Sequence, residues 1–196
     1  MIESNLIISS DCGMTGKKFL IALAIFGAVF LALIGYALNV QKSVSIEHQF
    51  NVPLGKVWNL FNDPEEIKKW WGPKDYNSPL VLNDLRVGGS FLFAMQGSDK
   101  EIIYNSGQYS EIVEEKLIVA RMSFSDKSGT AVAAESYNIP GKWPAEVEVR
   151  INFEEQKGGT HVTLTEHGIP MIMYFFAKIG WSQQFEKMDE ILKNRQ

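Results

Sequence analysis

With 196 residues, 21% of them charged, and a formal net charge of −4, the chain has the length of one ordinary domain plus an appended segment, with no room for a second substantial core. Lysines and acids are interspersed after an early apolar run, so there is no basic stripe of the kind nucleic acid requires, and nucleic acid is excluded as a partner. One cysteine, Cys12, and three scattered histidines, His48, His161 and His167, leave no internal disulfide, no cysteine zinc site and no metal-ligand spacing. No metal and no cofactor is expected.

Residues 1–18 read as a short N-terminal tail. From Phe19 to Val40, FLIALAIFGAVFLALIGYALNV, about 22 residues pass without a charge. At roughly 1.5 Å per residue that run spans the roughly 30 Å hydrocarbon layer of a bilayer, so a single-pass signal-anchor helix is predicted over 19–40. Lys17 and Lys18 precede it and Lys42 follows, which favours a cytoplasmic N-terminus and an extracytoplasmic domain. The alternative is a cleaved signal peptide, cut at the small-x-small site Gly35-Tyr36-Ala37, which would leave the protein secreted. Met14 is a second possible start, because MTGKKF before an apolar run has the form of an export N-terminus. Only Gln41 and Lys42 separate the run from the first β-patterned residues, which keeps a domain over 43–196 close to the bilayer surface.

Val44, Ile46, His48, Phe50 and Val52 alternate with polar neighbours and predict a first strand with one buried face. Asn51 and Pro53 then open a helix whose Leu54, Val57, Trp58 and Phe61 share one side. Asp63, Pro64 and Glu66 form a capping-box start for a second helix, which carries Ile67, Trp70 and Trp71 and stops at Gly72-Pro73. Strand patterns follow over Tyr76–Leu85, Ser90–Gln96, Glu101–Val113, Leu117–Ser125, Ala145–Glu155 and Thr160–His167, joined by connections short enough to imply antiparallel neighbours. Between Asp126 and Trp143 the pattern weakens, and a long loop or interrupted hairpin is expected. Trp181, Phe185, Met188 and Leu192 recur at helical spacing and predict a long amphipathic C-terminal helix. The sum is a two-layer α+β fold: a curved antiparallel sheet wrapped around a long C-terminal helix, with two short helices after the first strand.

Val57-Trp58, Asp63-Pro64, Trp70-Trp71-Gly72-Pro73, Asp84-Leu85-Arg86-Val87-Gly88-Gly89, Gly107 with Glu111-Ile112, Phe153-Glu154, Gly159-Thr160 and Gly180-Trp181 occur in this order. In them the chain resembles the activator of heat-shock-protein-90 ATPase homology family, within the START-like, birch-pollen-allergen-like SRPBCC superfamily. The resemblance spans nearly all of Ser43 to Lys193. It implies a helix-grip fold with a cavity for an apolar ligand, and implies no particular reaction, since superfamily members include lipid carriers, cyclases, hormone receptors and co-chaperone domains. The membrane segment and the region from Ser128 to Trp143 depart from the commonest members.

Three functions follow as expectations. The first is a membrane-anchored domain that binds an apolar or amphipathic, lipid-like small molecule. Its candidate ligand-binding residues are Trp70, Trp71, Arg86, Tyr104, Tyr109, Met122, Trp143, Phe175 and Trp181, each weighed against a plain packing or ion-pair role. The second is a cyclase- or hydrolase-type enzyme, with His48 and Glu166 as base and acid if both face one hollow. The third is a co-chaperone-like module that docks a protein partner on the sheet's outer face.

Overall fold

The computed structural model describes residues 16–195. The expectations placed on Cys12 and Met14 lie outside them. The chain divides into two units, Met1–Tyr36 and Ala37–Gln196. The first is described by most of α1 (Gly16–Asn39), a helix long and apolar enough to cross a membrane, with large apolar side chains such as Phe26 and Leu31 exposed.

The second unit runs through β1 (Gln41–Phe50), α2 (Leu54–Asn62), α3 (Pro64–Trp70), β2 (Val81–Asn83), β3 (Ser90–Gln96), β4 (Ile102–Val113), β5 (Leu117–Ser125), β6 (Val147–Gln156), β7 (Gly159–Pro170) and α4 (Tyr174–Lys193). The seven strands form one antiparallel sheet in the order β1-β7-β6-β5-β4-β3-β2. Strand alternation sets its faces: Val147, Val149, Ile151 and Phe153 of β6 point inward, and Glu148, Arg150 and Asn152 point outward. The curved inner face holds α4, whose Trp181, Phe185, Met188 and Leu192 are buried against it. This is the α+β helix-grip architecture expected from the sequence.

Helix signals after β1 are realised with two changes. Pro53 precedes α2 as its cap residue rather than sitting in its first turn. Asp63 caps α3 by accepting the Glu65 amide at 2.8 Å. Only half of the capping box forms, because the Asp63 amide is already committed to the Asn59 carbonyl and Glu66 turns to Lys69 and Arg195. Burial pushes the Glu66 carboxyl up, but hydrogen bonds and charge from those two cations outweigh it and hold it below its ordinary value. Trp71 ends α3, and Gly72 reverses the chain at φ +97°. A side chain at Gly72 would also meet the Tyr76 and Met95 Cβ atoms at 2.9 and 3.1 Å.

The strand expected over Tyr76–Leu85 shrinks to Val81–Asn83 plus one bridge between Asn77 and Gln96. Pro79 has no N–H to give to a ladder, so pairing cannot run through it. β7 continues past His167 to Pro170, pairing with Lys42 and Gln41 beyond a register shift in β1. The weakly patterned region holds a Ser125–Ala131 bridge and a 3-10 turn, Ala134–Tyr137. That loop is tied back to the start of the domain: the Lys142 amide donates to the Leu38 carbonyl at 2.7 Å, and beside it the Met171 amide donates to Val40, also at 2.7 Å.

Candidate functional site

The lower half of α4 fills the grip with large side chains, whereas its first turns carry Ala177 and Gly180 toward the sheet. A cavity of about 430 Å³ remains there. Its walls come from the Trp71–Tyr76 turn, the inner faces of β3 to β7, the end of the 126–144 loop and the first turns of α4. A smaller hollow of about 50 Å³ lies against it, with Trp71, Met122 and Trp181 lining both. At the rim Phe176 and Ile179 are 69% and 55% exposed, and Phe175 next to them is 72% exposed.

One end-wall is fastened to α4 by side chains. Gln184 accepts the Gly72 amide at 3.1 Å, and Gln183 accepts the Lys74 amide at 3.2 Å. The Lys187 ammonium donates to the Gly72 and Tyr76 carbonyls at 2.8 and 2.7 Å. Burial holds that ammonium below its ordinary value, against the opposing charges of Asp75 and Glu190.

The lining is apolar except at a few positions. Glu166, on the inner face of β7 and only 6% exposed, accepts a 2.8 Å hydrogen bond from the Trp181 indole through Oε2. Burial raises its carboxyl to about 7, the indole bond pulling the other way. Its Oε1 has no hydrogen-bond partner among the described residues. Asn105, on the inner face of β4 and 5% exposed, likewise has no partner for its side-chain amide among them. The Trp71 indole N–H is buried and unbonded. A desolvated carboxyl and an open amide in an apolar chamber can hold a ligand's polar atoms and orient it.

The structure gathers four of the nine ligand candidates around this cavity: Trp71, Met122, Trp143 and Trp181. Trp70 lines only the smaller hollow, and its indole donates to the Leu60 carbonyl at 2.7 Å. Tyr109 also lines that hollow and donates to Asn83 at 2.6 Å. Burial, with the Asp84 charge nearby, raises its hydroxyl far above the ordinary tyrosine value. Tyr104 is one residue from Asn105 and so has the opposite, outward parity. Arg86 is paired at 2.9 Å with Asp84 at the sheet's far edge, where a salt bridge was the competing reading. Phe175 lies outside the lining.

His48 and Glu166 share the inner face but are not brought together. His48 pairs across the ladder with Val162, four residues from Glu166, a separation of about 13 Å along the strand. The His48 ring rests against Phe50 and Phe185, and its Nε2 meets Asp189 of α4 at 2.9 Å. Sequence reasoning missed Asn105 and the α4 residues at the rim. The inward parity of Asn105 among apolar neighbours was the available signal; Phe176 and Ile179 carried none, because they fall outside the helix's core stripe.

The model of the Activator of Hsp90 ATPase homolog 1-like protein family matches residues 51–193. Solved structures share the fold. A Nitrosomonas europaea protein is 22% identical with a TM-score of 0.63, over 78% of this chain and 95% of its own. A Mycobacterium smegmatis protein is 21% identical at 0.65, over 78% and 95%. An AHSA1 protein of Silicibacter pomeroyi is 18% identical at 0.64, over 79% of this chain and 100% of its own. No curated protein matches the chain.

Proposed function

Because the chain belongs to the activator of Hsp90 ATPase homolog 1-like family and keeps an open chamber in its grip, we propose that it is a membrane-anchored small-molecule-binding domain. It holds an apolar or amphipathic, lipid-like molecule between sheet and C-terminal helix. The observation that carries this reading is the cavity itself: about 430 Å³ with mainly apolar walls, a size and character that suit a small apolar ligand. The apolar helix α1 and the exposed aromatic rim at Phe175 and Phe176 support it, since an apolar ligand reaches such a rim most easily from a lipid phase.

Purified protein carries an extractable apolar molecule, visible by native mass spectrometry and in the organic extract. Ala177→Trp, which fills the chamber from a partly exposed turn of α4, removes most of that molecule and changes stability by less than about 1 kcal/mol. Protein that yields no such molecule, or an Ala177→Trp variant that retains it in full, ends the reading.

The flanking charges, Lys17 and Lys18 before the helix against Lys42 after it, favour an N-terminus in the cytoplasm and a domain across the membrane. With Cys12 replaced by Ser, a cysteine put in place of Lys157, in the exposed β6–β7 turn, is labelled on intact cells by a membrane-impermeant maleimide. Labelling only after lysis reverses the orientation.

A further inference from the structure

Glu166 is a carboxyl with one oxygen held by Trp181 and the other without a partner among the described residues, on the wall of a chamber that is mainly apolar. Hydrogen-bonding groups on inward-facing side chains are almost always bonded, to protein or to water, so one with no protein partner that opens into a cavity is a place where a ligand atom can bond instead. Asn105 makes the same point independently, as a second buried side chain whose amide is open to the same chamber.

The surroundings of Glu166 decide what it receives. Val44 of β1 and Val149 of β6 lie opposite it on the two flanking strands. Trp181 covers it from α4. Of the charged groups between β1, α3 and α4, His48 and Asp189 are bound to one another, and Lys187 is bound to the Gly72 and Tyr76 carbonyls. No cation faces the carboxyl among the described residues. A carboxyl so placed is stabler with its proton and then donates from the free oxygen.

We propose that the chamber takes an uncharged, largely apolar molecule bearing a hydrogen-bond-accepting oxygen, such as a ketone, ester or ether, and that Glu166 reads that oxygen by donating to it. This rests on the cavity reading above and names the ligand class for the same site. Burial keeps the carboxyl protonated up to about pH 7, so the preference is present in mildly acid solution and fades as pH rises past that value.

Acetophenone and isopropylbenzene have nearly the same outline and differ in a carbonyl oxygen. They are titrated into the unit Ala37–Gln196, which contains the whole buried core and is matched in fold over the full length of the Silicibacter pomeroyi chain. Binding is followed through the indole N–H signals of Trp71 and Trp181. At pH 6 acetophenone binds about fivefold to tenfold tighter than isopropylbenzene, the worth of one shielded hydrogen bond. At pH 8.5 the ratio falls toward one in the native protein. In Glu166→Gln, whose amide donates at any pH, it persists at both.

Equal binding of the two at both pH values overturns the assignment of Glu166 and leaves the cavity reading standing. Tighter binding of 1-phenylethylamine than of acetophenone at pH 8.5 also overturns it, making Glu166 the seat of a cation. Absence of binding by all three removes both readings.

Discussion

Glu166→Gln stabilises the protein by about 3 kcal/mol at pH 8 and leaves its stability unchanged near pH 4. The native carboxyl titrates at about 7, raised by burial from an ordinary 4.5. Below 4.5 the folded and unfolded chains both hold the proton, and there is no difference to remove. Between 4.5 and 7 the unfolded chain gives its proton up while the folded one keeps it, so stability falls as pH rises, and above 7 the cost is constant. Its size follows from the separation of the two values at about 1.4 kcal/mol for each pH unit. The amide is neutral throughout, keeps an oxygen for the Trp181 indole, and escapes the cost. For a domain of this size the gain amounts to roughly 6–12 °C in Tm at pH 8. Thermal melts of both proteins at pH 4 and pH 8 test it, and a variant that melts with the native protein at pH 8 would show that Glu166 is not held in an apolar site.

Gly107→Ala destabilises the domain by about 3 kcal/mol or more. Gly107 lies on β4 between Phe91 of β3 and Met122 of β5. A Cβ there would stand 2.1 Å from the Arg121 carbonyl and 2.5 Å from the Phe91 ring. A neighbouring backbone cannot yield as a side-chain tip does, so β4 must move away from β5 and open the wall that carries Asn105. Urea denaturation measures the loss. The contrasting control is Gly88→Ala, where nothing lies within 4 Å and only the positive φ of 77° opposes a side chain, at a cost of about 1 kcal/mol. A smaller loss at Gly107 than at Gly88 would contradict the packing described.

Much of this architecture could be read from residue order because its signals were local. Alternation in β6 and helical spacing in α4 each specify a buried face without reference to anything distant, and Asp63-Pro64 marks a helix start alone. The site was less legible because its geometry is set by register. Tyr104 and Tyr109 looked equivalent as aromatic strand residues, yet five positions apart on one strand they must face opposite ways. His48 and Glu166 shared a parity, and nothing in either strand revealed that β1 and β7 pair with the two residues well apart, or that α4 would bring Asp189 to His48. Glu66 was misassigned because its competing partner, Arg195, lies at the other end of the chain. Trp71 was legible as a wall residue because two tryptophans at a helix end require a large apolar surface to cover them.

The bonds from Lys142 to Leu38 and from Met171 to Val40 draw a border three residues ahead of the first strand. A carbonyl engaged by a loop amide is fixed to the folded body, so Leu38 and Val40 are held at the edge of the domain. Ahead of that edge the helix still offers Phe19–Ala37, about 28 Å of uncharged length, close to the thickness of an apolar bilayer layer before any of the tied residues is counted. The same border meets the other fate of the segment. Cleavage after Ala37 would leave both carbonyls in place and the loop beside Trp143 still tied, whereas removal of three more residues would strip the Lys142 and Met171 amides of their acceptors and loosen the chamber at its loop wall.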